Sequence, residues 1–255
     1  MTALLEVRAV SKRFGGLQAV REVSFDVRKG TVKALIGPNG AGKTTLFHLL
    51  SGVLAPDGGA VTFDGRPIHG LPAHRVAALG LSRTFQHIRL FAHMTALENV
   101  KVGCHVRSRA GFVAGMLHLP WTWGEEREIG ERARAELEFL GIAELADAEA
   151  TRLSYGQQRS VELARALAAG PRLLLLDEPA AGLNMRETVE LAKLIGRIKE
   201  RGVTVLIVEH DMGLVMNVSD EVAVLSYGEK IADATPRAVQ RDPEVIRVYL
   251  GEDDA

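Results

Sequence analysis

Three short stretches of this 255-residue chain carry side chains whose types and spacing could do chemistry. The first is "GPNGAGKTT", Gly37 to Thr45. Its glycines at 37, 40 and 42 let backbone N–H groups turn inward around phosphate oxygens, and a helix start adds positive potential. Lys43 is placed to reach β and γ phosphates, and the Thr44 hydroxyl can ligate Mg²⁺. The preceding "TVKALIG" reads as a buried strand and the following "KTTLFHLLSGV" as a helix ending near Gly52, which is the context the pattern needs.

The second stretch, "RLLLLDEP", ends an apolar run on Asp177 and Glu178. An open α/β sheet places its ligand at such strand ends. Adjacent carboxylates there are either an acidic pair serving a helix dipole or a metal-facing Asp177 beside a water-facing Glu178. In the second case Glu178 orients the water, or takes its proton, during attack on a γ-phosphate. "VTVLIVEH" ends likewise at His210, which by itself would be structural and beside these carboxylates becomes a candidate γ-phosphate contact. The remaining histidines lack ligand spacing, so no protein-built metal site is expected.

The third stretch, "LSYGQQRSVELARAL", opens a helix at Ser154. Ser154 with Gln157 three residues on has the form of a capping box, and Val161, Ala164, Leu167 and Ala168 fall on one apolar face. Gly156 in the first turn costs stability unless the backbone there must come close to something.

The elements that would position these groups follow an α/β pattern. "LLEVRAVSKRF" and "VREVSFDVRKG" alternate enough for short strands, and "GGAVTFDGRPI" for strands around an Asp64-Gly65 turn. From roughly Leu71 to Ala150 the text turns mostly helical, as in "EEREIGERARAELEFLGI", and reads as an insertion. "RLLLLDEP" and "VTVLIVEH" suit parallel strands covered on both faces. "EVAVLSYGEKIADA" suggests a hairpin, and two short helices follow with Thr235 and Asp242 as N-caps and proline next.

Bulk composition narrows the class. Charged residues are 25%, the hydrophobic class 47% and the formal net charge −1, so a globular protein is expected and a broad attraction to nucleic acid is not. The single cysteine, Cys104, excludes an internal disulfide framework and fits a reducing compartment. No leader-like or membrane-spanning run is legible, so a membrane role would pass through a partner.

Phosphate loop, "LSYGQQ", "LLLLDEP" and strand-end histidine, in that order and over essentially the whole chain, resemble the nucleotide-binding subunit of an ABC transporter. The resemblance implies one ABC ATPase domain, 1–255. Its fold is a P-loop NTPase core with a mainly parallel sheet, an N-terminal antiparallel β subdomain and an inserted helical subdomain. The approximate parts are 4–86 (β subdomain and phosphate-loop core), 87–165 (helical subdomain), 166–230 (core with the carboxylate and histidine strands) and 231–255 (C-terminal helices). ATP would be the substrate and Mg²⁺ the cofactor. Phe14 matches an aromatic that stacks on adenine, and Gly37, Asn39, Gly40, Gly42, Lys43, Thr44 and Thr45 form the phosphate cradle. Gln86 in "SRTFQHIRLF" matches a glutamine that touches Mg²⁺ and senses a transmembrane partner. The catalytic set is then Glu178, His210 and Gln86, and the metal set Thr44, Gln86 and Asp177. In this family two subunits face head to tail, so Ser154, Gly156 and Gln157 would contact the γ-phosphate held by the other subunit, and "AAGLN" would meet that subunit. Tyr155, where glycine is usual, and Asn184, where aspartate is common, depart from the family pattern.

"RFGGLQAV", "SRTFQHIRLFAHMTALENV", "EPAAGLN", "VEHDM" and "DPEVIRVYLGE" are similar to the ATP-binding subunits of high-affinity branched-chain amino-acid importers, as is the inserted 107–131 segment. The implied partners are a second ABC ATPase subunit, identical or related, transmembrane permease subunits and, indirectly, a solute-binding protein. The implied place is the cytoplasmic face of the cell membrane, held there through the permease. A lipid or lipopolysaccharide export ATPase and a non-hydrolysing ATP clamp are the alternatives; Glu178 and His210 count against the clamp.

Overall fold

The computed structural model describes residues 2–86, 88–107 and 120–250. The chain divides into two compact units, Met1–Gln86 with Arg172–Ala255, and His87–Pro171. The first unit opens with β1 (Ala3–Phe14), β2 (Leu17–Arg28), β3 (Val32–Ile36), α1 (Lys43–Leu50), β4 (Gly58–Phe63), β5 (Arg66–Pro67), α2 (Ala73–Ala78) and β6 (Leu81–Arg83). The second contributes α3 (Ala96–Cys104), α4 (Pro120–Phe139) and α5 (Tyr155–Ala168). The first resumes with β7 (Leu173–Asp177), α6 (Met185–Glu200), β8 (Thr204–Val208), α7 (Met212–Val218), β9 (Glu221–Ser226), β10 (Glu229–Ala234), α8 (Pro236–Val239) and α9 (Pro243–Leu250).

Two sheets organise the first unit. One is antiparallel in the order β2-β1-β4-β5; the other runs β10-β9-β3-β8-β7-β6, parallel except for the β9–β10 hairpin. Every residue of β3, β7 and β8 is buried, as continuous apolar runs require when both faces of a sheet are covered. Leu46, Phe47, Leu49 and Leu50 of α1 join one core with Leu35, Leu175 and Leu206 of the parallel sheet and Leu5, Val61 and Phe63 of the antiparallel one. Each such side chain contributes roughly 1.5–3 kcal/mol on burial, so the phosphate-loop helix is held by packing on its far side.

Two sequence expectations are corrected here, and the two C-terminal N-cap positions are found as expected. β1 and β2 are twelve residues each, not short pieces. Their ladder slips register, with Ala9 and Glu22 at positive φ, but Ser24 Oγ accepts the Ala9 N–H at 2.7 Å and Ser11 Oγ accepts the Glu22 N–H at 2.9 Å, so the irregularities leave those amides satisfied. Within the stretch read as helical insertion, Leu81–Arg83 instead forms β6, parallel to Leu173–Leu175 of β7; three residues are too few to show a period. Asp242 caps α9 by accepting the Glu244 N–H at 2.9 Å, whereas Thr235 stands at the N-cap of α8 with no side-chain bond. Pro236, at the first helical position, presets the backbone there.

The second unit is built on the helical period. Ile129, Ala133 and Leu137 of α4 recur every four residues and pack with Ala96, Val100 and Cys104 of α3 and Val161, Ala164 and Ala168 of α5. Cys104 is buried in this core, its Sγ donating to the Ile129 carbonyl at 3.9 Å. Of the inserted 107–131 segment, 108–119 lies outside the described residues.

Candidate functional site

The phosphate loop connects the end of β3 to α1 in a space that admits no side chain at two points. Gly37 has φ 152 and a Cβ there would stand 2.2 Å from the Leu225 carbonyl oxygen; Gly42 has φ 96 and its Cβ would stand 2.4 Å from that of Ala19. Glycine at both places is therefore a packing requirement as well as a conformational one. Gly42 is also the N-cap of α1 and provides no side-chain hydrogen bond, and the first turn contains no acidic residue. Asn39, Gly40 and Thr44 are exposed on the loop and Thr45 is half-buried.

Lys43 is buried, and its Nζ donates to the carbonyls of Gly37 at 2.5 Å and Pro38 at 2.8 Å. Burial pushes its pKa below the ordinary lysine value, a shift opposed by the negative charges of Glu178 and Asp177. The loop lysine thus lies in the field of the carboxylates that end β7.

Those carboxylates are held very differently. Asp177 is buried at the last position of β7, where the Arg83 Nη2 donates to Oδ2 at 2.6 Å. Arg83 comes from β6, donates through Nη1 to Ser51 Oγ at 3.3 Å, and lies 5.6 Å from the rings of both Phe47 and Phe85. Glu178 turns out of the strand with φ 46, a left-handed conformation costing about 1–2 kcal/mol for a residue with a side chain. Its N–H donates to the Val208 carbonyl at 2.9 Å and its Oε2 accepts from Gln86 Nε2 at 2.9 Å. His210, two residues past β8 and exposed, has Nδ1 4.0 Å from the same Oε2.

So the first unit assembles Lys43, Gln86, Asp177, Glu178 and His210 around the phosphate loop. Phe14 is exposed at the end of β1, with the Lys12 ammonium 5.8 Å from its ring. Ser154, Gly156 and Gln157 belong to the other unit. There Ser154 Oγ accepts the Gln157 N–H at 3.4 Å and Gln157 Oε1 accepts the Ser154 N–H at 2.9 Å, so the expected capping box is formed. Asn184 makes the same box with Glu187 at the start of α6, which an aspartate could do equally.

Two comparisons by sequence and structure decide the family. The ABC transporter family model matches residues 20–181, and a second model, the branched-chain amino acid ATP-binding cassette transporter, matches 229–255. The chain belongs to the ABC transporter family. This ABC cassette is 48% identical over 250 residues to the high-affinity branched-chain amino acid transport ATP-binding protein BraF of Pseudomonas aeruginosa, covering 98% of each chain. It is 44% identical, again over 98% of each, to the transport ATP-binding protein LivG of Escherichia coli. The crystal structure of the ADP conformation of MJ1267, an ATP-binding cassette of an ABC transporter, superposes with a TM-score of 0.85 at 33% identity, covering 98% of this chain and 100% of that one. A dimeric structure of the cassette MJ0796 in a post-hydrolysis state, bound to ADP and Pi, superposes with a TM-score of 0.77 at 25% identity, over 91% and 99%. As an ABC cassette the chain is the ATPase subunit of a transporter, with an α/β fold.

Two residues of this ABC cassette escape a motif reading. Arg83, three residues before Gln86, pairs Asp177; Glu209, next to His210, is fully buried. Glu209 is a charge directly after the apolar run of β8, and that anomaly is the signal the sequence offers for it; Arg83, in the three-residue β6, has none.

Proposed function

We propose that this ATPase energises import of branched-chain amino acids, with the whole chain acting as one ABC ATPase domain beneath a membrane permease. The observation that carries the chemistry is the convergence of Gln86 Nε2 and His210 Nδ1 on Glu178 Oε2, at 2.9 and 4.0 Å, beside the lysine of the phosphate loop. A carboxylate so placed can orient a water for in-line attack and take up its proton. Lys43 exchanges the Gly37 and Pro38 carbonyls for phosphate oxygens when nucleotide enters, which restores a full charge partner to a buried ammonium. Gly37, Asn39, Gly40, Gly42, Thr44 and Thr45 cradle the phosphates, and Phe14 stacks on the base.

The donors fit a magnesium ion. The Thr44 hydroxyl, the Asp177 carboxylate and the Gln86 amide are hard oxygen ligands, few enough to leave places for water and phosphate oxygens. Among the described residues no group of three or more His, Cys, Asp or Glu is placed to hold a metal ion. Asp177 and Thr44 would hold such an ion at the loop, where it would neutralise phosphate charge.

A second subunit completes the site by bringing its Ser154, Gly156 and Gln157 to the γ-phosphate, and permease subunits anchor the pair on the cytoplasmic face of the membrane, with a solute-binding protein as an indirect partner. The identity to BraF and LivG over nearly the full chain supports the amino-acid substrate, the dimeric MJ0796 cassette supports the pairing, and no helix among the described residues is long and apolar enough to cross a membrane.

The test is uptake of radiolabelled leucine, isoleucine and valine by cells lacking the gene and by cells carrying it back with Glu178→Gln. Uptake lost in both and restored by the wild-type chain is the expected result. Normal amino-acid uptake in the deletion, with export subunits for lipid or lipopolysaccharide co-purifying instead, overturns the importer assignment.

A further inference from the structure

We infer that Glu209 is a positioning residue, locking the turn that carries His210 to the loop that begins at Glu178; this rests on the roles given above to those two residues. The Glu209 side chain is fully buried, an expensive place for a carboxylate unless it is multiply hydrogen-bonded. Three backbone amides supply those bonds. Ala180 N–H donates to Oε1 at 2.7 Å, and His210 and Asp211 N–H donate to Oε2 at 3.0 and 3.3 Å.

The division of labour between the two oxygens is the point. Oε1 takes the loop after β7, two residues beyond Glu178, while Oε2 takes the two residues that follow Glu209 itself. One rigid carboxylate therefore fixes the spacing of two loops that the sheet delivers separately, from the ends of adjacent strands β7 and β8. A backbone bond from Glu178 N–H to the Val208 carbonyl lies on the same seam. The His210 ring is placed as a consequence, with Nδ1 3.9 Å from Glu209 Oε2 and 4.0 Å from Glu178 Oε2. Glu178 itself sits at positive φ, a conformation that persists only where surrounding bonds over-determine it. The Ala180 anchor is one of those bonds. The hydrogen bonds of this seam do not involve the phosphate loop.

Glu209→Gln keeps the volume but replaces one acceptor by an NH₂ group, which must face an N–H; it can hold one loop or the other. Glu209→Asp keeps the charge and falls short by one methylene. The readouts on full-length chain are amide hydrogen exchange at Ala180, His210 and Asp211, thermal melting, and kcat and KM for ATP in the transporter complex. Expected in Glu209→Gln is a cooperative melt, lost protection at one side of the seam, and kcat lower by about 10- to 100-fold with KM within about twofold, the scale of misplacing reacting groups by an ångström. Glu209→Asp should recover part of both protection and kcat. Unchanged exchange at all three amides overturns the inference, as does lost protection with wild-type kcat, which would leave Glu209 a purely structural anchor. A Glu209→Gln chain that fails to fold shifts the decision to Glu209→Asp, where protection and kcat must fall together. Wild-type turnover in Glu178→Gln, a variant with Glu209 intact, would instead overturn the reading of the site itself.

Discussion

The starts of α1 and α5 look alike in sequence, each a glycine-containing entry into a helix, and are opposite in construction. α5 pairs two amides of its own start through the Ser154–Gln157 box, as α3 does through Thr95–Glu98 and α6 through Asn184–Glu187. α1 begins on Gly42, with no capping side chain and no acid in its first turn. A helix start stripped of its own acceptors is left to be completed by an anion, and Lys43 beside it is a cation whose burial is made good by the same anion. On the proposed function, the phosphate loop is completed by its ligand. The α5 start already carries its own capping box, and any contact it makes to nucleotide would be added to that box.

Five substitutions test that contrast, in decreasing size of effect. Lys43→Met should lower single-turnover ATP hydrolysis on the order of 10²–10³-fold, the scale of removing one strong electrostatic donor from a reacting phosphate. The same variant should be the more stable of the two without nucleotide at neutral pH. The folded pKa of Lys43 lies below the unfolded value near 10.5, so its charge disfavours the folded state wherever the unfolded lysine is protonated and the folded one is forced to be. The penalty fades as pH rises through the lowered folded pKa toward 10.5, and urea titrations of wild type and variant should converge there. A constant difference across that range would remove the burial of Lys43 as its cause.

Gly42→Ala comes next. The left-handed backbone alone costs about 1–2 kcal/mol, and the new methyl meets the Ala19 carbonyl at 2.4 Å, so both the melting temperature and nucleotide binding should fall. Retained ATP affinity, measured by calorimetry, would mean the loop can rebuild itself around its ligand.

Ser154→Ala and Asn184→Ala should each cost about 1 kcal/mol in urea, as lost caps do. They part in turnover, where only Ser154→Ala should be slow in the assembled dimer, because only that cap is proposed to face a nucleotide. Equal turnover would reduce Ser154 to a cap. The smallest effect is Gly156→Ala, which should stabilise the isolated chain by up to about 0.5–1 kcal/mol, since alanine suits a helix better, while impairing ATP-driven closure of the pair. Unimpaired closure, followed by light scattering, would leave Gly156 without its proposed reason.

Much of this molecule is legible in one dimension because its chemistry is local. The loop from Gly37 to Thr45, the carboxylate pair at 177–178 and the Ser154 box each lie within nine residues, and backbone geometry alone dictates their form. The same holds for β3, β7 and β8, whose unbroken apolar runs require two covered faces. Misreadings arose where a long-range partner decides the outcome. β1 and β2 continue past their irregularities because hydroxyls on the opposite strand take the freed amides. β6 exists because β7 offers a ladder to three residues that have no period of their own.

The amino-acid sequence by itself determined which groups are proposed to meet a phosphate, since glycine spacing, a helix start and strand-end acids are properties of contiguous residues. Only the tertiary structure decided how those groups are held. Arg83 reaches Asp177 across 94 positions and Gln86 reaches Glu178 across 92, while Glu209 bonds Ala180 across 29. Such pairs meet because a parallel sheet lays the ends of distant strands side by side, and hydrogen bonds and ion pairs act over a few ångströms of space whatever the separation along the chain.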